Sequence, residues 1–441
     1  MLRLYSLVLW LLQPLVRLRM RRRARAEPLY AHALGERFGH YGADLAGVQQ
    51  PGYLWVHAVS LGETRAAAAL IAQLREAVPG LRLLLTHGTA TGRAQGQSLL
   101  REGDVQVWQP WDTPAAVERF LLRVRPRMGL LMETEVWPNW VQGCAHLGIP
   151  LCLVNARLSE KSLQSALRLK ALSFAAYRGL HAVWAQSAED ARRLRLLGAP
   201  VVDVVGNFKF DATPDPALMA RGQGWRTGLR RPVVMFASSR AGEELLLLQS
   251  LQSNRVETLA NKPQAAIENI ANVQWLIVPR HPQRFEDVVR LWQDQGFSVA
   301  RRSEWSKAPQ GADIWIGDSL GEMGLYFALA DVALLGGSFE RLGGQNLIEA
   351  AACGCPVVMG PHTFNFAEAA QLAEAAGAAF RAADMDGAIA QALRLLADAH
   401  AREQASQAGR TLAATHQGAA RRTAQAVAAM LTTSVREPVA G

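Results

Sequence analysis

The chain alternates along most of its length between short apolar runs and helix-like stretches. In the first half the runs are YLWVHAV, LRLLLT, MGLLM, PLCLV, AVWAQ and VVDVVG, each followed by a polar or glycine-bearing turn and a helical pattern. After ATPDP at 212–216 the rhythm begins again with PVVMFASS, VQWLIVPRH, DIWIGD, DVALLGG and PVVMG. Apolar strands that alternate with helices are typical of parallel sheets. The pattern therefore predicts an α/β protein with two doubly wound domains.

The length of 441 residues agrees with two domains, because one hydrophobic core rarely serves so long a chain. We expect a Rossmann-like domain over 27–212 and a second one over 213–441, whose C-terminal part is predicted to be helical. The polar segment 253–272 is predicted to be an inserted helix or loop. Residues 1–26 form a separate segment.

The basic charge of the chain is concentrated in this N-terminal segment. Residues 1–26 contain seven arginines and no acidic residue, so the net charge of +9 falls to +2 once they are set aside. A body so close to neutral argues against a nucleic-acid partner.

The apolar part of the same segment, residues 4–16, is shorter than the roughly 20 residues that a spanning helix needs. Most of the charge follows the apolar run, whereas a cleavable signal peptide carries its charge first. We therefore expect an uncleaved anchor on the cytoplasmic side of the inner membrane, lying in or dipping into the bilayer with its arginines against anionic lipid. The alternative is a helix packed on the protein's own core.

The four cysteines have no metal-site spacing and are predicted to be buried thiols. No Asp-x-Asp motif or His/Asp/Glu cluster follows the predicted strands, so we expect neither a metal nor a cofactor.

Ligands of open parallel sheets bind beyond the carboxyl ends of the strands. Polar residues and glycines occupy these positions in both halves, and we expect them to line a common cleft. They are Ser60 and Glu63, Thr86 to Thr89, Glu133 and Glu135, Asn155 and Arg157, Asn207 and Lys209, then Ser238 and Ser239, Arg280 and His281, Asp318 to Glu322, Gly336 to Ser338, and Gly360 to His362.

The tetrapeptide SLGE occurs twice, at 60–63 and 319–322. Ser-x-x-Glu is a capping box, in which the two side chains satisfy free N–H groups at the start of a helix, so each copy is predicted to begin a helix. The first copy could also be part of a site, because Glu63 follows His57 and Ser60 at a strand end.

Two further motifs allow both a functional and a structural interpretation. In METEVWPNW, Glu133 and Glu135 would lie on one face of an extended strand, where like charges raise a pKa; they could equally be solvated or capping carboxylates. In IVPRHPQRF, Arg280 and His281 lie between two prolines that stiffen the loop, where an arginine could bind phosphate; the alternative is an ordinary surface loop.

The run LLGGSFERLGGQNLIEAAACGCPVVMGPHTFNF, 334–366, is rich in glycine. Gly336-Gly337 and Gly343-Gly344 would let backbone approach a ligand, and a helix predicted from about Gln345 would offer free N–H groups to an anion. Glu349 would accept hydrogen bonds from ribose hydroxyls. Neither GxGxxG nor GxxxxGK[ST] occurs, which disfavours nicotinamide binding and ATP hydrolysis.

Seven ordered motifs, HAVSLGE, METEVWPN, VNARLSEKS, GNFKFD, PRHPQRF, GDSLGEM and the glycine-rich run, resemble those of the 3-deoxy-D-manno-octulosonic acid (Kdo) transferases of lipopolysaccharide assembly. The resemblance extends from the N-terminal anchor to about residue 380. The sequence departs from the family pattern at Arg240 and Gln345, where histidine is expected, and at Leu320, where methionine is usual.

The resemblance implies a GT-B glycosyltransferase whose first domain binds the acceptor, the lipid A precursor lipid IVA, and whose second binds CMP-Kdo. Kdo would be transferred with inversion at the cytoplasmic face of the inner membrane. By motif, Glu63 matches the general base, and Glu133 and Lys209 match positions that assist the transition state. The matched CMP-Kdo-binding positions are Pro279, Arg280, His281, Leu320, Gly321, Glu322, Asn346, Leu347, Ile348 and Glu349.

Two other functions are weighed against this one. A nucleotide-sugar 2-epimerase has a similar two-domain plan, but an arginine-rich apolar N-terminus serves no soluble sugar substrate. A membrane-tethered nucleotide-binding module without catalysis would need no carboxylates such as Glu63 and Glu133 at the strand ends of the first domain.

Overall fold

The computed structural model describes residues 1–42, 52–211, 214–261 and 272–433. The chain divides into two compact units, Met1–Asp211 with the segment that begins at Gln417, and Ala212–His416. Residues 262–271 of the predicted insertion at 253–272 lie outside the described residues, and its first part, 253–261, continues a helix that ends at Asn261.

The first unit contains seven parallel strands in the order β3-β2-β1-β4-β5-β6-β7. They are β1 Leu54–His57, β2 Leu83–His87, β3 Val105–Trp108, β4 Met128–Met132, β5 Leu151–Ala156, β6 Ala182–Ala185 and β7 Val201–Val204. The chain begins at the centre of the sheet, runs out to β3 and returns to β4. The order therefore reverses between β1 and β4, which is where ligands of such sheets bind.

Helices cover both faces of this sheet. They are α1 Leu2–Arg23, α2 Leu61–Ala77, α3 Ala90–Gln97, α4 Pro114–Val124, α5 Pro138–His146, α6 Glu160–Arg168, α7 Lys170–Arg178 and α8 Ala188–Leu196, with 3₁₀ turns at Pro28–Ala31, Leu34–Phe38 and Phe208–Asp211. Ser60, Thr89, Ser159 and Ser187 cap four of these helices, each accepting a backbone N–H from its first turn. Continuous apolar strands suit a sheet covered on both faces, and the residues of β1, β2, β4, β5 and β6 are all buried.

The second unit also has seven parallel strands, in the order β10-β11-β9-β8-β12-β13-β14. They are β8 Val233–Ser239, β9 Gln274–Pro279, β10 Val299–Arg301, β11 Ile314–Ile316, β12 Val332–Leu335, β13 Val357–Met359 and β14 Ala379–Arg381. Its helices are α9 Pro216–Thr227, α10 Glu243–Asn261, α11 Phe285–Gln293, α12 Met323–Leu329, α13 Ile348–Ala352, α14 Ala367–Ala375, α15 Met385–Ala397 and α16 Ala399–His416, with 3₁₀ turns at Pro282–Arg284, Arg302–Glu304 and Phe364–Phe366. The strand order reverses between β8 and β12.

The last helix, α17 Ala419–Thr433, belongs to the first unit, whereas the sequence placed all of 213–441 in the second domain. Asp211, where the first unit's main segment ends, accepts hydrogen bonds from the backbone N–H groups of Gly418 and Ala420 and so caps this helix. Small residues along the helix then allow it to pack closely on α2, burying Val427 and Leu431. The Asp211 cap and the apolar face of α17 together attach the C-terminal segment to the first unit.

The sequence did not predict three strands, β3, β10 and β14, and all three lie at sheet edges. An edge strand has one hydrogen-bonded neighbour and less need of a continuous apolar run. In β3, Val105 and Gln106 are only partly buried, and β10 and β14 have three residues each. The predicted buried state of the cysteines is confirmed for Cys144, Cys152, Cys353 and Cys355.

Helix α1 lies on the surface of the first unit, and none of its residues, all of which the structure describes, is buried. Tyr5 and Ser6 attach it by hydrogen bonds to Asp112 and Asn139, and the Arg17 guanidinium lies 4.2 Å from the centroid of the Phe38 ring. Its outer side exposes Leu4, Leu7, Val8, Trp10, Leu11, Leu12, Leu15 and Leu18. Within the described ranges, none of the helices has both the length and the apolar character needed to cross a bilayer.

Candidate active site

The reversal point of the first sheet brings acidic side chains together. Glu63 follows β1, and Glu133 and Glu135 follow β4, which pairs directly with β1. Because parallel strands end at the same edge, these carboxylates come close enough for Glu135 and Glu133 to raise the pKa of Glu63. The structure thus gathers two of the three predicted catalytic residues, with Glu135 as a third carboxylate.

Glu63 forms the predicted capping box with Ser60, the N-cap of α2. Ser60 Oγ donates to Glu63 Oε1 at 2.9 Å and accepts the Glu63 backbone N–H at 3.4 Å. The second carboxylate oxygen accepts the N–H of Val59 at 2.9 Å. Both oxygens of Glu63 are therefore held in place at the strand end.

Burial raises the pKa of Glu63 to about 7, and Glu135 and Glu133 add to the effect. Desolvation and the two neighbouring carboxylates outweigh the positive end of the helix and the hydrogen bond from Val59, both of which favour the ionised group. A carboxyl group with a pKa near neutrality can accept a proton far more readily than an ordinary glutamate.

Glu133 is buried in a conformation that is uncommon for its residue type, with φ at +55°. Its carboxylate accepts a hydrogen bond from Arg157 Nε at 2.6 Å, and its backbone N–H bonds to the carbonyl of Val154. A left-handed non-glycine residue costs roughly 1–2 kcal/mol, and such residues cluster at functional sites. The salt bridge and the strained backbone together fix this carboxylate beside β5.

Glu135 is more exposed than Glu133, and its carboxylate lies beside the N–H groups of aromatic rings. Its side chain is 18% exposed, and Oε2 accepts the Trp137 indole N–H at 2.9 Å. The same oxygen lies 4.0 Å from Nε2 of His57, the last residue of β1. Burial raises the pKa of Glu135, and Glu133 raises it further.

Lys209 is located in the 3₁₀ turn that follows β7, at the far edge of the sheet, yet this turn packs against α2. Asn155, at the end of β5, accepts the N–H of Phe208 at 3.0 Å, and Gln186 accepts a hydrogen bond from the Asn207 side chain. Lys209, the third predicted catalytic residue, therefore lies in a turn that packs against α2, the helix that contains Glu63.

Basic side chains gather at the strand ends of the second unit. Arg280 and His281 follow β9, and Arg240 follows the neighbouring strand β8. Burial lowers the pKa of His281, and Arg240, Arg280 and Arg284 lower it further. Because three arginines lower the pKa of His281, the electrostatic potential at this place is positive, which favours the binding of an anion.

Two buried glutamates, Glu243 and Glu244 of α10, organise this region, and the sequence analysis missed both. Glu243 accepts the backbone N–H groups of Arg240, Gly337 and Phe339 at 2.7–3.1 Å. Adjacent acidic residues at the start of a helix were the available signal. Glu243 accepts the Gly337 N–H, so this group is engaged within the protein. At Gly336, an added Cβ would come within 2.5 Å of the Ser238 carbonyl oxygen. The pair Gly336-Gly337 therefore serves the packing of the loop.

Glu244 links the same helix to the PRHPQRF loop. It accepts two hydrogen bonds from the Arg284 guanidinium at 2.8 and 2.9 Å and a third from Ser239 Oγ at 2.7 Å. Arg284 is therefore engaged within the protein.

The second SLGE does not form the predicted capping box. Helix α12 begins at Met323 with Glu322 as its N-cap and without a side-chain cap. Ser319 instead donates to the Glu322 carboxylate, whose other oxygen accepts Arg302 Nη2 at 2.8 Å. Gly321 has a φ of +81° and Leu320 is 73% exposed, so the tetrapeptide turns outward before the helix starts.

The segment after β12 also differs from expectation. Helix α13 begins at Ile348, three residues later than predicted, and has five residues. The side chains of Leu347 and Ile348 are buried in the core, whereas Asn346 and Glu349 are only partly buried. Burial raises the pKa of Glu349. A ligand could meet this segment through Asn346 and Glu349, or through the backbone.

None of the described residues forms a group of three or more His, Cys, Asp or Glu side chains able to hold a metal ion.

Comparison with known proteins gives agreeing results. A family model described as 3-deoxy-D-manno-octulosonic-acid transferase (kdotransferase) matches residues 32–212. The 3-deoxy-D-manno-octulosonic acid transferase of Bordetella pertussis is 46% identical over 96% of this chain and 98% of its own length. The enzyme of the same name from Haemophilus influenzae is 32% identical over 82% of this chain and 83% of its own.

Among solved structures, the UDP-GlcNAc 2-epimerase from Neisseria meningitidis bound to UDP-GlcNAc covers 87% of this chain and all of its own, with a TM-score of 0.53 and 14% identity. At that identity the likeness concerns the fold alone. The predicted GT-B class, with its two doubly wound α/β units, is confirmed.

Proposed function

The chain belongs to the Kdo transferase family, and from this premise we propose that it moves Kdo from CMP-Kdo to lipid IVA in lipopolysaccharide core assembly. The observation that carries the proposal is Glu63, a fixed carboxylate with a pKa of about 7 at the reversal point of the first sheet. Glycosyl transfer to a hydroxyl requires a base that takes the hydroxyl proton, and ligands of such sheets bind at the reversal point.

Transfer with inversion joins the acceptor oxygen to the anomeric carbon of Kdo as the bond to the CMP phosphate breaks. Glu63 would take the proton that the acceptor hydroxyl loses. Glu133, fixed by Arg157, and Lys209 would act on charge that develops in the transition state.

The basic residues of the second unit support the donor assignment. CMP-Kdo carries a phosphate and a sugar carboxylate, and both anions suit the positive site around Arg240, Arg280 and His281. Arg280 would bind the phosphate, and Glu322 and Glu349 would accept hydrogen bonds from the nucleotide.

Helix α1 supports a membrane location, which we propose to be the cytoplasmic face of the inner membrane. Its exposed leucines and Trp10 form an apolar side, and the arginines that follow them are exposed as well. An apolar helix face with a basic cluster provides the two signals that stable interfacial binding requires. An acceptor embedded in lipid would explain why the protein carries such a helix.

The direct test of transfer is to incubate the full chain with CMP-Kdo and tetraacylated lipid A precursor and to weigh the lipid product by mass spectrometry. We expect a product heavier by Kdo and dependent on both substrates. Incubation with UDP-N-acetylglucosamine alone tests the epimerase alternative. A lipid of unchanged mass, with epimerised sugar in the second incubation, would reject the proposal.

The membrane proposal is tested by flotation with anionic vesicles. Replacing Leu7, Leu11 and Leu15 by serine removes one exposed stripe of α1 and leaves Tyr5 and Ser6, which attach the helix to the body, intact. Exposed Leu167 and Leu169, replaced together by serine, provide the control. Flotation that survives the α1 substitutions in high salt would place the membrane contact elsewhere.

A further inference from the structure

His57 is a fully buried polar residue at the carboxyl end of β1, beside the three carboxylates. Its ring meets Trp140 edge-on at 4.7 Å and lies 6.5 Å from Trp55. Rings packed in this way hold the imidazole in one orientation. The sequence analysis noted His57 only as a neighbour of Glu63.

A hydrogen-bond chain on one side of His57 and a carboxylate on the other favour one tautomer of the ring. The Trp55 indole, which can only donate, bonds to Thr86 Oγ1 at 2.8 Å. The same hydroxyl lies 2.8 Å from His57 Nδ1. The Thr86 hydroxyl, which accepts from Trp55, can give its own proton to Nδ1, and the neutral ring then carries its hydrogen on Nε2. A carboxylate 4.0 Å from Nε2 favours this tautomer over the one that would present a lone pair to it.

That Nε2–H group points toward Glu135. Nε2 lies 4.0 Å from Glu135 Oε2 and has no hydrogen-bond partner among the residues that the structure describes. Burial lowers the pKa of His57 to about 3, and His87 lowers it further, so the ring is neutral at physiological pH. Hydrogen bonds of catalytic groups are often long before substrate binds and shorten in the complex.

We infer that His57 is a positioning residue for the transfer reaction, which acts by directing its Nε2–H group at Glu135 and so holding that carboxylate, ionised, beside Glu63. The inference rests on the proposed function. Trp137 donates to the same oxygen, so Glu135 would have two fixed N–H donors from neutral rings.

The consequence concerns the general base. An ionised Glu135 makes it harder for Glu63 to lose its proton and so keeps Glu63 basic enough to accept one from a hydroxyl. The charged and titratable groups around the pair, in addition to His57, are Glu133 with its partner Arg157, Tyr177, His87 and Lys209. Glu133 is paired with Arg157, whereas Glu135 is in contact with the neutral rings of Trp137 and His57. Of the two carboxylates, Glu135 also has the larger effect on the pKa of Glu63.

The experiment compares His57→Leu, which removes the donor, with His57→Gln, whose amide can retain an N–H near the position of Nε2. Glu135→Gln and the double variant His57→Leu/Glu135→Gln complete a cycle. The first readout is the acid limb of kcat/KM against pH. The second is the titration of the Glu63 carboxyl in pH-difference infrared spectra, identified as the band that Glu63→Gln abolishes.

We expect Glu135→Gln to move both the limb and the titration to lower pH by about one unit, since a neighbouring negative charge is removed. His57→Leu should move them in the same direction by a smaller amount, His57→Gln should restore the wild-type values, and the double variant should match Glu135→Gln. His146→Gln, at an exposed histidine that ends α5, is the control and should leave both readouts unchanged.

Independent and additive shifts, or an unmoved titration in Glu135→Gln, would overturn the inference. If His57→Leu does not fold, His57→Gln and Glu135→Gln still decide it, because a shift shared by both contradicts the donor role. The infrared titration needs no turnover. It therefore tests the inference even if the wild-type protein forms no lipid product, an outcome that would reject the proposed function alone.

Discussion

The Tyr5 hydroxyl donates a 2.8 Å hydrogen bond to Asp112, a residue 107 positions away in the sequence. Asp112 is buried and also accepts the backbone N–H groups of Asn139 and Trp140 at the start of α5. Ser6 donates to the Asn139 side chain. One carboxylate therefore attaches α1 to the helix that directly follows the Glu133–Glu135 segment.

We expect Tyr5→Phe to destabilise the first unit. Removing a hydrogen bond to a charged group costs ~2 kcal/mol, and ~1 kcal/mol corresponds to roughly 2–4 °C in a unit of this size. Thermal melting should therefore show a decrease of about 4–8 °C. Leu11→Ala, at a 61% exposed position of the same helix, should melt like the wild type. An unchanged melting temperature in Tyr5→Phe would mean that the Tyr5–Asp112 hydrogen bond contributes nothing to the stability of the unit.

The two copies of SLGE should respond differently to the same substitutions. Ser60→Ala removes an N-cap and should lower the stability by ~1 kcal/mol, and Ser60→Asn should recover most of it because asparagine caps as well as serine. Ser319 serves Glu322 and Tyr326 and accepts no backbone N–H of α12. Asparagine should therefore rescue Ser60→Ala and not Ser319→Ala, as measured by thermal melting; equal rescue at both positions would contradict the difference in capping.

The sequence predicted the central strands of both sheets because buried strands carry unbroken apolar runs. It missed three of the four edge strands; in one of them, β3, Val105 and Gln106 are only partly buried. It predicted the C-terminal segment to be helical but assigned α17 to the second domain, because the cap that attaches this helix to the first unit comes from Asp211, which is distant in sequence. A local sequence pattern does not show which distant residue will cap a helix.

The site was predictable to a similar extent. Residues at strand ends could be named from order alone, and Glu63 and Glu133 do meet at the reversal point. In the second SLGE, Glu322 accepts a hydrogen bond from Arg302, which lies outside the motif, so the motif alone could not show that no capping box forms. The raised pKa of Glu63 depends on burial and on two carboxylates that follow another strand, and a local motif shows neither.

Glu322 and Glu349 should affect donor affinity more than the chemical step. Contacts to the nucleotide are common to ground and transition states, so Glu322→Gln and Glu349→Gln should raise the KM for CMP-Kdo by roughly ten- to hundredfold with a smaller change in kcat. Glu403→Gln, at a 72% exposed position of α16, is the control. An unchanged KM with a collapsed kcat would instead assign these residues to the transition state.

Transfer should continue in excess EDTA. The arginines near His281 can neutralise the single phosphate of CMP without a divalent ion. The measurement is the initial rate of lipid product formation with and without chelator. Loss of turnover in EDTA that magnesium restores would contradict this prediction.

The final prediction concerns Glu63 and its pKa of about 7. A general base works when deprotonated, so kcat/KM should rise with pH through about 7. Glu63→Gln preserves the capping box, which accepts glutamine, but cannot take a proton. We expect it to lose on the order of a hundredfold to ten-thousandfold in kcat, measured with CMP-Kdo and the lipid acceptor.

Stability provides the matched control for the same variant. Because the folded pKa of Glu63 lies above its unfolded value, the protonated group's contribution to stability is complete below the unfolded pKa and is lost as the pH rises through about 7. Glutamine stays neutral, so Glu63→Gln should gain stability relative to wild type between pH 5 and pH 8 while its turnover stays low. If the variant folds and retains more than about a tenth of wild-type turnover, Glu63 is not the general base and serves only in the capping box. The loss of a general base costs far more than tenfold in turnover.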